Sequence, residues 1–346
     1  MRILHIANFS IFKNDAVFYS TDKKISNGLI RNGHLVSDFS YRDISKINRV
    51  LGLKKVGINK MIKSLIISID NLQPELILLG HSELINGEVL SFIREKYPKI
   101  KIAMWWVDWL KNLSSIKSKI KYIDVLFTTT GVKDFPNIDF ENKNLKICYI
   151  PNMCDSSIES YKAFDEVNFD RDLFFAGRLD KERESFINSL KTLLKNIKFD
   201  IFGNTKESVL LGNKFLQTIS KSKISLNLSR DHETSLYYSD RLIQLMANGT
   251  MVISKNIPDI EILFDNDEII LFDEKEECLE KIDYYLNNDE ERIKVAKNGW
   301  EKAHNSYNST RVTKFMLETI FEKTYSEKYE WIDNIIKTKK EIKYEY

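Results

Sequence analysis

The stretch Ile224-Ser225-Leu226-Asn227-Leu228, Ser229-Arg230-Asp231-His232-Glu233, Tyr237-Tyr238-Ser239-Asp240-Arg241 and Leu242-Ile243-Gln244-Leu245-Met246-Ala247-Asn248-Gly249 decides how this chain folds. A short apolar run breaks into a polar loop, a helix-period segment follows and stops at Gly249, and Thr250 to Ser254 is apolar again. That order predicts strand, loop, helix and strand, one βαβ unit of a parallel sheet. Ligands of open parallel sheets collect at the loops that leave the carboxyl ends of strands. Ser239 and Asp240 are N-cap residue types and Arg241 falls in the first helical turn, so the segment predicts an anion site where a guanidinium grips phosphate.

Outward from that unit the same alternation covers the chain. Leu173 to Gly177 and Phe199 to Gly203 are apolar runs ended by glycine, and Glu268 to Phe272 is a further run. In the first half, strands are predicted at Arg2–Ala7, from Leu35, and at Glu75–Leu79, Ile100–Trp105, Val125–Thr128 and Lys146–Tyr149. A polar loop from Asn8 to Asp22 follows the first of these, then a helix reaching Asn32-Gly33-His34. Alternating β and α elements predict the α/β class with two Rossmann-like domains. No G-x-G-x-x-G follows the first strand, so this is not a dinucleotide fingerprint. The expected division is a first domain over 1–152, a linker over 153–172 where periodicity weakens, a second domain over 173–322 and a charged C-terminal helix over 323–346.

The chain has 346 residues, 43% hydrophobic and 29% charged, enough for two separate cores. No apolar run approaches the roughly 20 residues that span a bilayer, and the opening lacks a signal-peptide cleavage pattern, so a cytoplasmic protein is expected. Cys148, Cys154 and Cys278 form no C-x-x-C and the five His are scattered, which predicts neither a disulfide framework nor a metal site. Residues 1–150 hold 23 Lys+Arg against 14 Asp+Glu, and the remainder 29 against 36. A basic half beside an acidic one predicts that the first half meets something anionic. No helix-turn-helix, RRM or zinc-finger pattern points to nucleic acid. Between Arg49 and Ser68, Lys54, Lys55, Lys60 and Lys63 are interleaved with apolar residues, which predicts peripheral contact with the inner face of a membrane; an ordinary core-facing helix with a solvated back reads the same way.

The run Ser239-Asp240-Arg241-Leu242-Ile243-Gln244-Leu245-Met246-Ala247-Asn248-Gly249 followed by Met251-Val252-Ile253-Ser254 resembles the donor-binding segment of GT-B glycosyltransferases, especially the CgeB-like or group 1 family. Glu276 to Arg311 resembles that group's C-terminal helices, Pro151-Asn152 with Asp155 its interdomain crossing. The resemblance implies two Rossmann-like domains facing a cleft, with a last helix crossing back to the first. It implies a metal-independent sugar transfer from a nucleotide sugar to a glycan, lipid-linked or protein acceptor, in surface polysaccharide or glycoconjugate synthesis, with no further cofactor. Gly177, Arg178 and Arg183 resemble the Gly-Arg…Lys grip on the donor diphosphate, with arginine in place of lysine. Gln244 stands where a ribose-binding glutamate is usual, and Leu236 where the retaining motif has its second glutamate. Ser229, Arg230, Ser239, Asp240, Arg241 and Glu261 complete the implied nucleotide site.

In the first half, Met104-Trp105-Trp106-Val107-Asp108-Trp109 stands out, because indoles beside a carboxylate suit sugar recognition. Trp105, Trp106 and His81 are the candidate acceptor contacts, and Asp108 the candidate general base. Asp170-Arg171-Asp172 mimics a metal-binding D-x-D but precedes its strand, so a linker reading is preferred. The alternatives are a sugar-nucleotide epimerase-like enzyme and a non-catalytic binding protein on the same fold.

Overall fold

A computed structural model describes residues 1–108, 110–135, 144–203 and 208–337. The strands are β1 (Arg2–Ala7), β2 (Leu35–Ser40), β3 (Leu76–Leu79), β4 (Lys101–Trp106), β5 (Val125–Thr128), β6 (Lys146–Tyr149), β7 (Arg171–Ala176), β8 (Phe199–Phe202), β9 (Ser222–Asn227), β10 (Met251–Lys255), β11 (Ile270–Phe272) and β12 (Ile335–Lys337). The helices are α1 (Thr21–Arg31), α2 (Tyr41–Ile47), α3 (Lys54–Leu72), α4 (Gly87–Lys96), α5 (Lys117–Ile120), α6 (Lys181–Leu193), α7 (Asn213–Ser220), α8 (Arg241–Ala247), α9 (Lys275–Asn287), α10 (Asp289–Ser306) and α11 (Ser309–Ile320). They form two units, one of Met1–Asp15, Ser20–Pro151 and Ser309–Tyr346, the other of Ala16–Tyr19 and Asn152–Asn308.

The first unit's sheet runs β12-β6-β5-β4-β3-β1-β2, with only β12 antiparallel to its neighbour. Leu76 to Leu79 of β3 are buried on both faces, as befits a parallel strand covered by helices on either side. From β1 the chain goes outward to β2 and then returns past β1 to β3, so the connections reverse direction between β1 and β3. The second unit's sheet is wholly parallel, in the order β11-β10-β9-β7-β8, and reverses between β7 and β9. Its core joins Leu173, Phe175, Ile224, Leu226, Met251 and Ile253 to helix residues such as Ile187 and Ile282. Helix α8 ends as the sequence predicts: Gly249 sits at φ +77 and its N–H reaches the Met246 carbonyl at 2.8 Å. A side chain there would be doubly excluded, since a Cβ would lie 2.7 Å from the Ala163 nitrogen.

Three boundaries differ from expectation. Residues 153–172, read as a linker, pack with the second unit; Cys154 donates its backbone N–H to the Tyr307 carbonyl at 2.9 Å. Helix α11, assigned to the second domain, belongs to the first unit and lies on α1, where Asn32 Nδ2 donates to the Thr310 carbonyl at 2.9 Å. The contact is close because Gly28 has no side chain; a Cβ would sit 2.2 Å from the Ser309 carbonyl oxygen. The tail is not helical over its described residues. Tyr325, Tyr329 and Trp331 fold onto Phe315 of α11 with ring centroids 5.0–5.5 Å away, and Ile335–Lys337 then pairs with β6. Burying those rings outweighs the helical propensity of the charged residues between them. Among the described residues no helix is long and apolar enough to cross a membrane.

Candidate functional site

Parallel sheets bind ligands where their connections reverse, beyond the carboxyl ends of the strands. In the second unit that place lies between the loops after β7 and β9, and Arg241 holds it together. Its guanidinium donates to the Ala176 carbonyl at the end of β7 and, at 3.0 Å, to the Leu228 carbonyl just past β9, while lying 5.2 Å over the Phe175 ring. Burial pulls its pKa down to about 10, with the Arg183 charge adding to the effect and Asp240 opposing it. The residue after Ala176, Gly177, must be glycine. A Cβ on Gly177 would fall 2.0 Å from Arg241 Nη1, so any side chain would push the guanidinium off the strand end. Gly203, after β8, sits at φ +88 beside the Gly177 backbone, where a Cβ would lie 3.1 Å from the Gly177 carbonyl.

Arg183 flanks this centre from the first turn of α6. Its backbone N–H donates to the capping carboxylate of Asp180 at 3.0 Å, and its guanidinium pairs with the same carboxylate at 2.8 Å. His232 lies in the β9–α8 loop and accepts the Ser229 N–H on Nε2 at 3.1 Å, which assigns the proton to Nδ1. Burial, then the Lys255 and Arg183 charges, hold its pKa down to about 4 against the opposing Asp231, so the imidazole is neutral at pH 7. Lys255, at the carboxyl end of β10, is a cation that the sequence reading passed over; its only signal was a basic residue closing an apolar run. Arg178 is exposed and makes no ion pair among the described residues.

The remaining nucleotide-site residues are distributed unevenly around this centre. Ser229 is buried and its hydroxyl accepts the Ser239 N–H at 3.0 Å, which ties the loop to the start of α8. Arg230 and Glu261 are exposed. Asp240 does not cap α8 through its side chain; its carboxylate instead accepts from Gln244 Nε2 at 2.7 Å. That occupies the amide expected to read a ribose. Beyond the bidentate phosphate clamp expected of it, Arg241 donates from each terminal nitrogen to a main-chain carbonyl, which makes it a fixed charge that joins two strand ends. A hollow of about 660 Å³ lined by Tyr161, Arg171, Lys214 and Lys221 lies at the opposite, amino edge of the same sheet, where β7 begins with Arg171. Asp172, part of the D-x-D mimic, pairs there with Lys223 at 3.0 Å. Among the described residues no group of three His, Cys, Asp or Glu is placed to hold a metal ion.

The first unit's reversal point carries different chemistry. Trp105 and Trp106 close β4 at 2% and 1% exposure, which leaves no ring face for a sugar and corrects their reading as acceptor contacts. Trp105 Nε1 donates to His5 Nε2 at 3.0 Å, His5 Nδ1 meets Ser26 Oγ at 2.9 Å, and Ser26 donates to Asp38 at 2.6 Å. Burial takes His5 down to about 4, so this is a neutral structural relay. His81 stands edge-on to Trp105, 5.7 Å between centroids. Burial lowers its pKa, opposed by Glu83 and Asp108, so the imidazole is neutral and electrostatically close to Asp108. Lys119 fixes that loop by donating to the His81 and Ser82 carbonyls at 2.8 and 2.7 Å. Asp108 is half-buried and accepts from Asn112 at 2.9 Å. Trp109 lies outside the described residues. Asp22, which the sequence reading left as the end of a polar loop, has its pKa pushed up to about 6 by burial, with Asp38 and Glu83 adding to it, although the Asn8 N–H opposes the shift.

Residues 181–318 match the glycosyl transferase-like family. No curated protein sequence matches the chain. Among solved structures, the sucrose-phosphate synthase of Thermosynechococcus elongatus is similar over 93% of this chain and 98% of its own, with TM-score 0.65 and 12% identity. Anabaena HepE, solved in complex with UDP-glucose, covers 93% of this chain and 100% of its own with TM-score 0.59 and 14% identity. The trehalose-6-phosphate synthase OtsA covers 94% and 100%, with TM-score 0.62 and 10% identity. At such identities the likeness is one of fold, and that fold is the GT-B type: two Rossmann-like units in one chain.

Proposed function

We propose, from a second unit whose residues 181–318 match a glycosyl transferase-like family, that the protein moves a sugar from a nucleotide-sugar donor to a glycan, lipid-linked or protein acceptor. The observation that carries this reading is the Arg241 guanidinium, buried and tied to the ends of β7 and β9 where a parallel sheet takes its ligand. Breaking the bond between the anomeric carbon and the diphosphate puts negative charge on the leaving group, and cations held in place beforehand stabilise it without reorganising. Arg241 supplies a fixed charge, Arg183 a second, and exposed Arg178 a third that can turn onto the phosphates. With that set the reaction needs no metal. The acceptor oxygen bonds to the anomeric carbon while its proton passes to a base, for which Asp108 and the neutral His81 are the first unit's candidates. A hexosyl donor, a role in surface polysaccharide synthesis and a cytoplasmic location complete the reading.

The test is a panel of nucleoside diphosphates and nucleotide sugars with and without a chelator. A ligand bound only by the folded state raises the melting temperature by mass action. UDP or GDP is expected to do so in the presence of EDTA, and one nucleotide sugar to release its diphosphate when a suitable acceptor is added. Release of a free epimerised sugar would assign the epimerase reading instead, and tight binding without turnover on any acceptor the binding-protein reading. No shift with any nucleotide at millimolar concentration would remove the proposal.

A further inference from the structure

The turn joining α2 to α3 holds a leucine in a backbone conformation that leucine disfavours. Val50 and Leu53 pair across it, the Leu53 N–H reaching the Val50 carbonyl at 2.9 Å, with Leu51 and Gly52 between them at φ +49 and +77. Two successive positive φ angles make the I′ type of turn, which favours Asn or Gly at its first position and penalises a leucine. That leucine is 94% exposed, and Val50 and Leu53 beside it are 46% and 56% exposed. Residues 44–69 contain six Lys and Arg and no Asp or Glu, and Arg49, Lys54 and Lys55, exposed, flank the apolar tip. The following helix is not the source of the patch. Gly57, Met61, Leu65 and Ile69 of α3 are buried at four-residue spacing, so Lys60 and Lys63, expected to lie on a membrane, belong to the solvated back of a packed helix, and only Lys54 and Lys55 in its first turn adjoin the tip.

From this turn we infer that the first unit docks on an anionic lipid bilayer by inserting Val50, Leu51 and Leu53 below the headgroups, while Arg49, Lys54 and Lys55 meet lipid phosphates. An apolar tip with a cationic collar fits a surface that is negative outside and apolar beneath. A nucleic acid would meet the collar but give the tip no partner. The inference is independent of the sugar-transfer reading, since nucleotide binding is measured separately by thermal shift.

The full chain is cosedimented with vesicles of equal phosphatidylglycerol and phosphatidylcholine, and with pure phosphatidylcholine, at 50 and 500 mM salt. Binding is expected to the anionic vesicles at low salt, reduced at least tenfold by Leu51→Glu and by the double change Lys54→Glu, Lys55→Glu. Leu51→Gly suits the backbone better, so it is expected to keep or raise the melting temperature while still weakening vesicle binding. That split keeps the test informative if the Glu variants fold poorly. Failure of the wild type to bind anionic vesicles at 50 mM salt would overturn the inference, as would undiminished binding by a folded Leu51→Glu variant. So would a concentration-dependent dimer abolished by Leu51→Glu, which would show that the tip covers a second copy, or binding of single-stranded RNA without vesicle binding.

Discussion

The two units share a topology and differ in what they place at its reversal point. In the second, the strand ends meet at a buried guanidinium, and burial, with the Lys255 and Arg183 charges, depresses the pKa of His232. In the first, the corresponding ground holds Asp22, Glu83 and a neutral His81, above a relay through Trp105, His5, Ser26 and Asp38. One point gathers guanidinium and ammonium groups, the other carboxylates and a neutral imidazole. The same sheet topology thus carries different charge at its two reversal points, set by a few side chains at strand ends.

The contrast breaks most directly at Arg241. Arg241→Met leaves the Ala176 and Leu228 carbonyls without their donors. It is expected to cost about 2–4 kcal/mol in urea unfolding and to abolish the nucleotide-induced thermal shift. Gly177→Ala is expected to act in the same direction, because its Cβ needs the space that Arg241 Nη1 fills. Wild-type stability in both variants would mean that the strand ends are joined by something else. Arg183→Ala separates charge from architecture: turnover is expected to fall roughly 100-fold, while stability changes by less than about 1 kcal/mol, since its partner Asp180 is exposed and the pair is local to the first turn of α6. Equal turnover in mutant and wild type would place the diphosphate elsewhere.

The pH dependence probes both units, because the buried histidines and the buried carboxylate respond in opposite directions. His5 and His232 are depressed to about 4 from 6.5 by burial, so the stability from holding them neutral is present above pH 6.5 and is lost as pH falls toward 4. The loss is of the order of 2–3 kcal/mol for each and shows as a falling unfolding free energy across that window, flattened in part by His232→Gln. Asp22 is raised from 3.8 to about 6, so its contribution is present below pH 4 and is lost as pH rises through 6. Asp22→Asn, which can still accept the Asn8 N–H, is expected to stabilise the protein by about 1 kcal/mol at pH 8 and by little at pH 4. No difference between the two pH values would show that Asp22 is solvated. The smallest expected effect is that of Arg178→Ala on stability, within about 0.5 kcal/mol, alongside weaker nucleotide binding in isothermal titration.

The sheets were legible because buried parallel strands are apolar runs of four to six residues; Val125–Thr128 and Lys146–Tyr149 match their predicted limits. The stop at Gly249 was legible because only glycine suits that turn. Side-chain direction was not. Trp105 and Trp106 read as acceptor contacts, yet they belong to a central strand covered on both faces, where adjacent positions are both interior. Arg241 was found in sequence, but whether its fork turns outward to phosphate or inward to carbonyls depends on Gly177, sixty-four positions earlier. The tail was misread because its charges suggested a helix, while the spacing of Tyr325, Tyr329 and Trp331 reflected a platform formed by Phe315.

The first unit is discontinuous: α11 and β12, from residues beyond 308, complete an assembly that begins at Met1. During synthesis the second unit, nearly contiguous from 152 to 308, emerges whole and can fold while the first still lacks the helix that lies on α1 and the strand that covers β6. Ribosome-bound chains should therefore pass through a stage with one finished unit and one that keeps an open strand edge. The earlier-translated part is therefore expected to finish folding later, with an open strand edge that chaperones can hold in the meantime.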